Sequence, residues 1–339
     1  MKISLILNSY RVAFISLLLL GLVSSVWAGP ILVVGHKNPD SDSIFSAIAL
    51  AYLKSQQGTP AIAVAQGKPN PESDFVLSYF GLQAPPVVST VAGHNVALVD
   101  HNTYTQAPDD IKAAQLVEII DHHNLGGIVT EDPITALIQP VGSTNTIIWE
   151  LYQRTGISIP HAIAGGMLSA ILSDTLAFKS PTTTNLDRRA AQSLAVTASV
   201  TDISKFAKQM FLAGEADLKT APIESLLQRD FKIFDMNGNK VGVGQLAAVS
   251  FDLLEQRRDA FVSTMQVLMQ KENYQTLVLM LTDIQSDGTV LIVIGKNQQH
   301  IADAFNVALK NNSFWVAGVT SRKKQIIPVL SKVFSEHNN

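Results

Sequence analysis

Residues 33–43, VVGHKNPDSDS, place an imidazole and two carboxylates, His36, Asp40 and Asp42, directly after a short β-branched run. The same residue types recur in VDHN at 99–102 (Asp100), in IDHHN at 120–124 (Asp121, His122, His123) and in LSDTLAFKSPT at 172–182 (Asp174). Taken singly, each could be a helix cap, a satisfied core histidine or a surface charge. Gathered at one sheet edge, such carboxylates repel and raise one another's pKa unless cations neutralise them, and divalent metals are the simplest solution. Hard oxygen ligands with one or two imidazoles suit manganese, magnesium or cobalt better than copper. Two such ions a few ångström apart suit attack on phosphorus by a hydroxide that bridges them. A polyanionic substrate also needs fixed cations, and Lys232 together with Arg322, Lys323 and Lys324 in SRKKQ (321–325) supplies them.

The elements that must position these groups follow from the pattern. Short apolar runs at 31–34, 61–65, 96–99 and 117–120 read as strands; 43–56, 144–154 and 161–172 read as helices. Such alternation predicts an α/β fold with a mostly parallel, doubly wound sheet, whose sites form at the carboxyl ends of the strands. His36, Asp40, Asp42, Asp100 and Asp121 fall there. The segment 213–222, inside LAGEADLKTAP, is the expected linker between a metal-binding domain at 29–212 and a smaller mixed-sheet α/β domain at 223–339 that closes over it. In the second domain the pattern predicts a long helix over 252–271, strands at 276–281 and 290–294, and a helix over 302–309.

Lys2 and Arg11 precede an apolar run from Val12 to Val23, and Val26 and Ala28 fit a small-residue cleavage pattern. Residues 1–28 are therefore expected to be a signal peptide, cleaved after Ala28, which makes the mature protein exported, periplasmic or secreted, and not stably membrane-associated. A net charge of −3 over 339 residues argues against a nucleic-acid partner, so any anion must be met locally. With no cysteine there is no disulfide, thiolate nucleophile or Cys-ligated cluster.

GHKNPDSDS, LVDHN, IIDHHN, GSTNT, SDTLAFKSPT and SRKKQ occur in the order and approximate spacing of the manganese-dependent family II inorganic pyrophosphatases of the DHH phosphoesterase superfamily, and the mature chain resembles that family, with its DHHA2-type C-terminal domain, over essentially its whole length. SRKKQ is the most discriminating motif, since nuclease and cyclic-dinucleotide branches carry a different C-terminal domain. The resemblance implies hydrolysis of pyrophosphate to two orthophosphates with two Mn2+ per subunit, Co2+ or Mg2+ as substitutes, and a further Mg2+ arriving with substrate. It implies that His36 and Asp40 bind one metal, Asp42 and His122 the second, that Asp100 bridges them and that Asp174 completes the first. His123, expected as a protonated imidazole, donates to the leaving phosphate; Asp121 orients the histidines; Lys232, Arg322 and Lys323 hold the phosphates. Similar proteins often form homodimers through the N-terminal domain. The chain departs from the family at Thr103, where an acidic residue usually follows DHN. The competing readings are an exopolyphosphatase of the same superfamily and a metal- and phosphate-binding protein without turnover.

Overall fold

The computed structural model describes residues 29–337; the expected signal peptide at 1–28 lies outside them. The first half runs β1 (Ile31–Val34), α1 (Ser41–Gln56), β2 (Ala61–Val64), α2 (Pro71–Phe80), β3 (Asn95–Val99), β4 (Gln115–Asp121), β5 (Thr135–Ile138), α3 (Thr144–Thr155), α4 (His161–Asp174), α5 (Asn185–Thr197) and α6 (Ile203–Gly214). Its five strands are ordered β2-β1-β3-β4-β5 and all pair in parallel. The second half runs α7 (Ile223–Gln228), β6 (Phe231–Met236), β7 (Asn239–Ala248), α8 (Asp252–Glu255), α9 (Arg258–Lys271), β8 (Thr276–Asp283), β9 (Gly288–Gly295), α10 (Gln298–Ala304), β10 (Ser313–Ala317) and α11 (Ile327–Glu336). Its sheet, β10-β9-β8-β7-β6, is mixed: β7 and β8 are parallel and the other pairs antiparallel. The chain is thus an α/β protein with a parallel sheet followed by a mixed one.

Strand alternation divides the apolar side chains of the first sheet between two faces. Val33, Ala97, Val99 and Ile120 pack with Phe45, Leu50, Met167 and Leu168 of the helices. Leu32, Val34, Val96, Leu98 and Ile119 pack instead with Val91, Ala107 and Ile111, so this face is closed by connecting segments and a short 3₁₀ turn at Ile111–Ala113 rather than by long helices. The mixed sheet carries helices on both faces, with Phe261 and Met265 of α9 on one and Ile301, Leu330 and Phe334 of α10 and α11 on the other.

Two predicted elements differ. The helix expected over 252–271 is broken at Gln256–Arg257, because the Arg257 guanidinium turns away to donate to the carbonyls of Leu218 (2.6 Å) and Ala221 (2.8 Å) in the segment between α6 and α7. The helix expected over 302–309 starts earlier, at Gln298, after Asn297 in a left-handed conformation, and ends at Ala304. Among the described residues no helix is long and apolar enough to cross a membrane.

Candidate active site

The carboxyl ends of the first sheet deliver the ligands. After β1 the chain turns at Gly35, where a Cβ would lie 1.9 Å from Ser43 Oγ; this close approach lets the His36 N–H donate to that hydroxyl at 2.7 Å. Asp40 caps α1 by accepting from the Ser43 N–H through Oδ1 (2.9 Å), while its Oδ2 stands 3.2 Å from His36 Nε2. The capping and chemical readings of this motif therefore hold together in one side chain. Asp100 follows β3 in a left-handed conformation, φ 61°, which an aspartate tolerates at a cost of about 1–2 kcal/mol. Its Oδ2 lies 3.3 Å from His36 Nε2 and its Oδ1 3.4 Å from His122 Nε2.

Both histidines are oriented from behind. His36 Nδ1 bonds to the Lys37 carbonyl (2.7 Å) and His122 Nδ1 to the Val141 carbonyl (3.1 Å). With Nδ1–H given to a carbonyl, each ring turns an Nε2 lone pair toward carboxylate oxygens, an arrangement that calls for a cation between them. Among the described residues three groups have ligand atoms within 4.8 Å of one another, all including Asp100: His36, Asp40 and Asp100; Asp42, Asp100, His122 and Asp174; and Asp100, His122 and His123, which overlaps the second. The donor types and their convergence fit divalent metal ions. Asp174, at the end of α4, stands 3.5 Å from His122 Nε2. The resemblance implied that it completes the His36 set; in the described geometry its carboxylate groups with Asp42, Asp100 and His122.

The electrostatics report the same crowding. Burial raises the Asp42 pKa to about 6, with Asp100 adding to the effect. Burial and the charges of Asp42, Asp40 and Asp100 push Asp174 well above the carboxylate range. Burial opposes ionisation of His36, but Asp40 and Asp100 outweigh it and raise its pKa well above the usual value. Burial also works against the Asp100 charge, yet its bonds to His122 and His36 hold it well below its usual value.

GSTNT proves to be the cradle of Asp42. Ser143 Oγ (2.5 Å) and Asn145 Nδ2 (2.8 Å) donate to Asp42 Oδ1, and the Thr144 N–H donates to Oδ2 (2.7 Å). These donors sit at the amino end of α3, where the helix dipole also favours the negative charge. Asp187 of α5 holds the same loop, accepting from the Gly142 N–H (3.0 Å) and Thr146 Oγ1 (2.6 Å).

Facing this cluster across the cleft are the cations of the second half. Lys232 Nζ, on β6, lies 2.9 Å from His123 Nε2, and Lys323 Nζ donates to the His122 carbonyl. Arg322 is held by Asp230, through Oδ1 at 2.8 Å and the carbonyl at 2.9 Å. Gln325 fixes the basic turn by accepting from the Thr320 and Ser321 N–H groups, both at 2.9 Å. Lys324 points away, to the Pro181 carbonyl at 3.0 Å. Asp121 accepts from His123 Nδ1 (2.8 Å), from the N–H groups of His122 (2.7 Å) and His123 (3.0 Å), and from Asn102 Nδ2. Burial and then the Lys232 charge lower the His123 pKa to about 3 in this arrangement. Asp40, Asp100, His122, His123, Asp174, Lys232, Arg322 and Lys323 all line one cleft of about 460 Å³. Asp42 and His36 lie buried behind it.

Asp230 and Asp187 were not singled out by the sequence, and Asn145 entered only as part of GSTNT without a role. Asp230 left a trace in the alternating charges of RDFK and Asp187 one in its capping spacing from Thr184, but the contacts of Asp187 and Asn145 at the site lie far away in the chain.

The DHH family N-terminal domain profile matches residues 30–171, and the DHHA2 domain profile matches 208–333. A protein of Archaeoglobus fulgidus named "Probable manganese-dependent inorganic pyrophosphatase" is 43% identical over 316 residues, 90% of this chain and 98% of that protein. The manganese-dependent inorganic pyrophosphatase of Methanocaldococcus jannaschii is 39% identical over 311 residues, covering 89% and 99% of the two chains. A crystal structure described as a family II inorganic pyrophosphatase of Methanococcus jannaschii superposes with a TM-score of 0.82 at 38% identity, covering 89% of this chain and 99% of that one.

Proposed function

Because the chain belongs to the manganese-dependent family II inorganic pyrophosphatases, with DHH and DHHA2 domains in that order, we propose that it hydrolyses inorganic pyrophosphate to two orthophosphates in the cleft between its two sheets. The observation that carries this reading is the pair of ligand sets sharing Asp100, with Lys232, Arg322 and Lys323 on the same cleft. His36, Asp40 and Asp100 would hold one Mn2+, and Asp42, Asp100, His122 and Asp174 the other. When bound, such ions polarise phosphoryl oxygens and activate water for attack on phosphorus.

The chain's own residues do the rest. Arg322, with its planar fork preset by Asp230, grips one phosphate, and Lys232 and Lys323 meet the other oxygens as point charges. One P–O bond forms from water and the P–O bond to the leaving phosphate breaks. His123, steered through Nδ1 by Asp121, faces the cleft with Nε2. A polyanion arriving there would draw the Lys232 ammonium onto itself and favour protonation of Nε2 from solvent; His123 would then pass that proton to the leaving oxygen while the attacking water gives one up to solvent. Closure of the two halves around substrate would exclude bulk water, so that the cations act where they are strongest.

We also propose that the charged-then-apolar pattern of residues 1–28 directs export, and that a homodimer forms through the first domain, whose edge strand β5 has Thr135 and Ala136 exposed. The test is phosphate release from pyrophosphate with Mn2+, after chelation and after re-addition of metal. Release that is abolished by chelation and restored by Mn2+ is expected; release indifferent to metal overturns the reading.

A further inference from the structure

Glu72 is a half-buried carboxylate on the cleft wall with no role in the reaction described above. Its Oε1 accepts from Ser41 Oγ at 2.7 Å and from Ser173 Oγ at 2.7 Å. Ser41 lies between Asp40 and Asp42 in the first turn of α1, and Ser173 directly precedes Asp174 at the end of α4. One oxygen thus ties together two helix ends that carry ligands of both metal sets. Among the described residues no Lys, Arg or His nitrogen lies within ion-pair distance of Glu72, though the Arg229 charge favours its ionised form; its direct partners are the two hydroxyls.

The anchor is itself fixed. Asn70 caps α2 by accepting from the Ser73 N–H at 2.8 Å, Pro71 stiffens its first turn, and Ser73 Oγ lies 3.1 Å from Ser41 Oγ. Gly214, at the end of α6, leaves room for the Glu72 stem, since a Cβ there would stand 3.2 Å from Glu72 Cβ.

We propose that Glu72 is a positioning residue that holds Asp42 and Asp174 in register through Ser41 and Ser173, an inference that rests on the metal assignment above. Groups that orient metal ligands from behind typically account for about 10–100-fold in metal affinity.

The experiment is a Mn2+ titration of the metal-stripped full chain, following free Mn2+ by its paramagnetic resonance signal, with circular dichroism as the check on folding. Glu72→Ala is expected to weaken Mn2+ binding by about 10–100-fold. Glu72→Gln keeps an oxygen acceptor for both hydroxyls and is expected to restore most of that loss, which a bulk structural role or a requirement for charge does not predict. Wild-type affinity in Glu72→Ala, or Glu72→Gln as weak as Glu72→Ala, overturns the proposal. Should Glu72→Ala not fold, Ser173→Ala carries the test: weakened binding supports the proposal and unchanged binding overturns it. Failure of the unsubstituted chain to bind Mn2+ would sink the metal assignment itself, a different result from any of these.

Discussion

His123 Nε2 and Lys232 Nζ stand 2.9 Å apart, joining the loop after β4 in the first sheet to β6 in the second. A cation this close to an imidazole, added to burial, keeps the ring neutral and its lone pair engaged. A phosphate entering the cleft must take this lysine from the histidine. Lys232→Met is therefore expected to raise KM for pyrophosphate at least tenfold, about 1.4 kcal/mol, while leaving Mn2+ stoichiometry unchanged. Steady-state kinetics beside metal analysis decide it, and an unaltered KM would remove Lys232 from the phosphate grip.

Asp100 faces His36 with one oxygen and His122 with the other. Asp100→Asn keeps the shape but removes the charge shared by both metal sets, so both ions are expected to bind at least tenfold more weakly and turnover to fall with them. Asp174→Asn touches only the set containing His122, and calorimetric titration is expected to show one weakened site and one preserved. Two equally weakened sites in Asp174→Asn would mean that the geometry divides the ligands wrongly.

His122 and His123 are neighbours with different surroundings: the first points Nε2 at Asp100 and Asp174, the second at Lys232. His122→Gln is expected to lose metal. His123→Gln is expected to retain it and to lower kcat by about 10²–10⁴-fold, the usual range for a lost proton-transfer group. If the metal content of His123→Gln falls as far as that of His122→Gln, the acid and ligand roles are exchanged or shared.

Gly35 supplies a stability test on the same scaffold. A methyl group there meets Ser43 Oγ at 1.9 Å and the Ser43 carbonyl at 2.8 Å, so α1 must shift away from β1. Gly35→Ala is expected to destabilise the fold by about 1–3 kcal/mol and to disturb the His36 N–H bond to Ser43. Urea unfolding measures the first effect and Mn2+ titration the second; wild-type stability would show that the close approach relaxes without strain.

What the sequence revealed and what it hid divide along chain distance. His36, Asp40 and Asp42 were legible because one strand, one turn and one helix cap carry them within a few residues, and Asp100 and Asp121 because strand ends announced them. The SRKKQ turn was legible by its charge. The partner of Asp42 was not: its donors at Ser143, Thr144 and Asn145 lie about a hundred residues away, and only the packing of α3 beside α1 brings them together. The β6–β7 hairpin escaped notice because Gly242 and Gly244, crowded by Phe231, Leu277 and Leu279, interrupt the apolar alternation that marks a strand. The break between α8 and α9 was invisible for a similar reason, since it depends on Arg257 finding carbonyls at Leu218 and Ala221.

Substrate length follows from how the two halves meet. Lys179 reaches across to the Ile284 carbonyl (2.7 Å) and Asp287 (3.0 Å), and Lys324 returns the contact to the Pro181 carbonyl (3.0 Å). These two lysines bind the halves together and are not available to line a channel. The cleft cations Lys232, Arg322 and Lys323 suffice for a phosphate gripped opposite a dimetal centre, and both arginines on the cleft already have a carboxylate partner, Arg322 in Asp230 at 2.8 Å and Arg229 in Asp217 at 2.7 Å. A long polyphosphate carries about one negative charge per residue and needs a basic groove leading away from the reacting end, as a single-stranded nucleic acid does. The expected outcome is a kcat/KM at least tenfold higher for pyrophosphate than for long-chain polyphosphate at equal Mn2+, about 1.4 kcal/mol in transition-state stabilisation. Parallel phosphate-release assays on the two substrates measure it, and an equal or higher kcat/KM for the polymer would move this chain to the exopolyphosphatase reading.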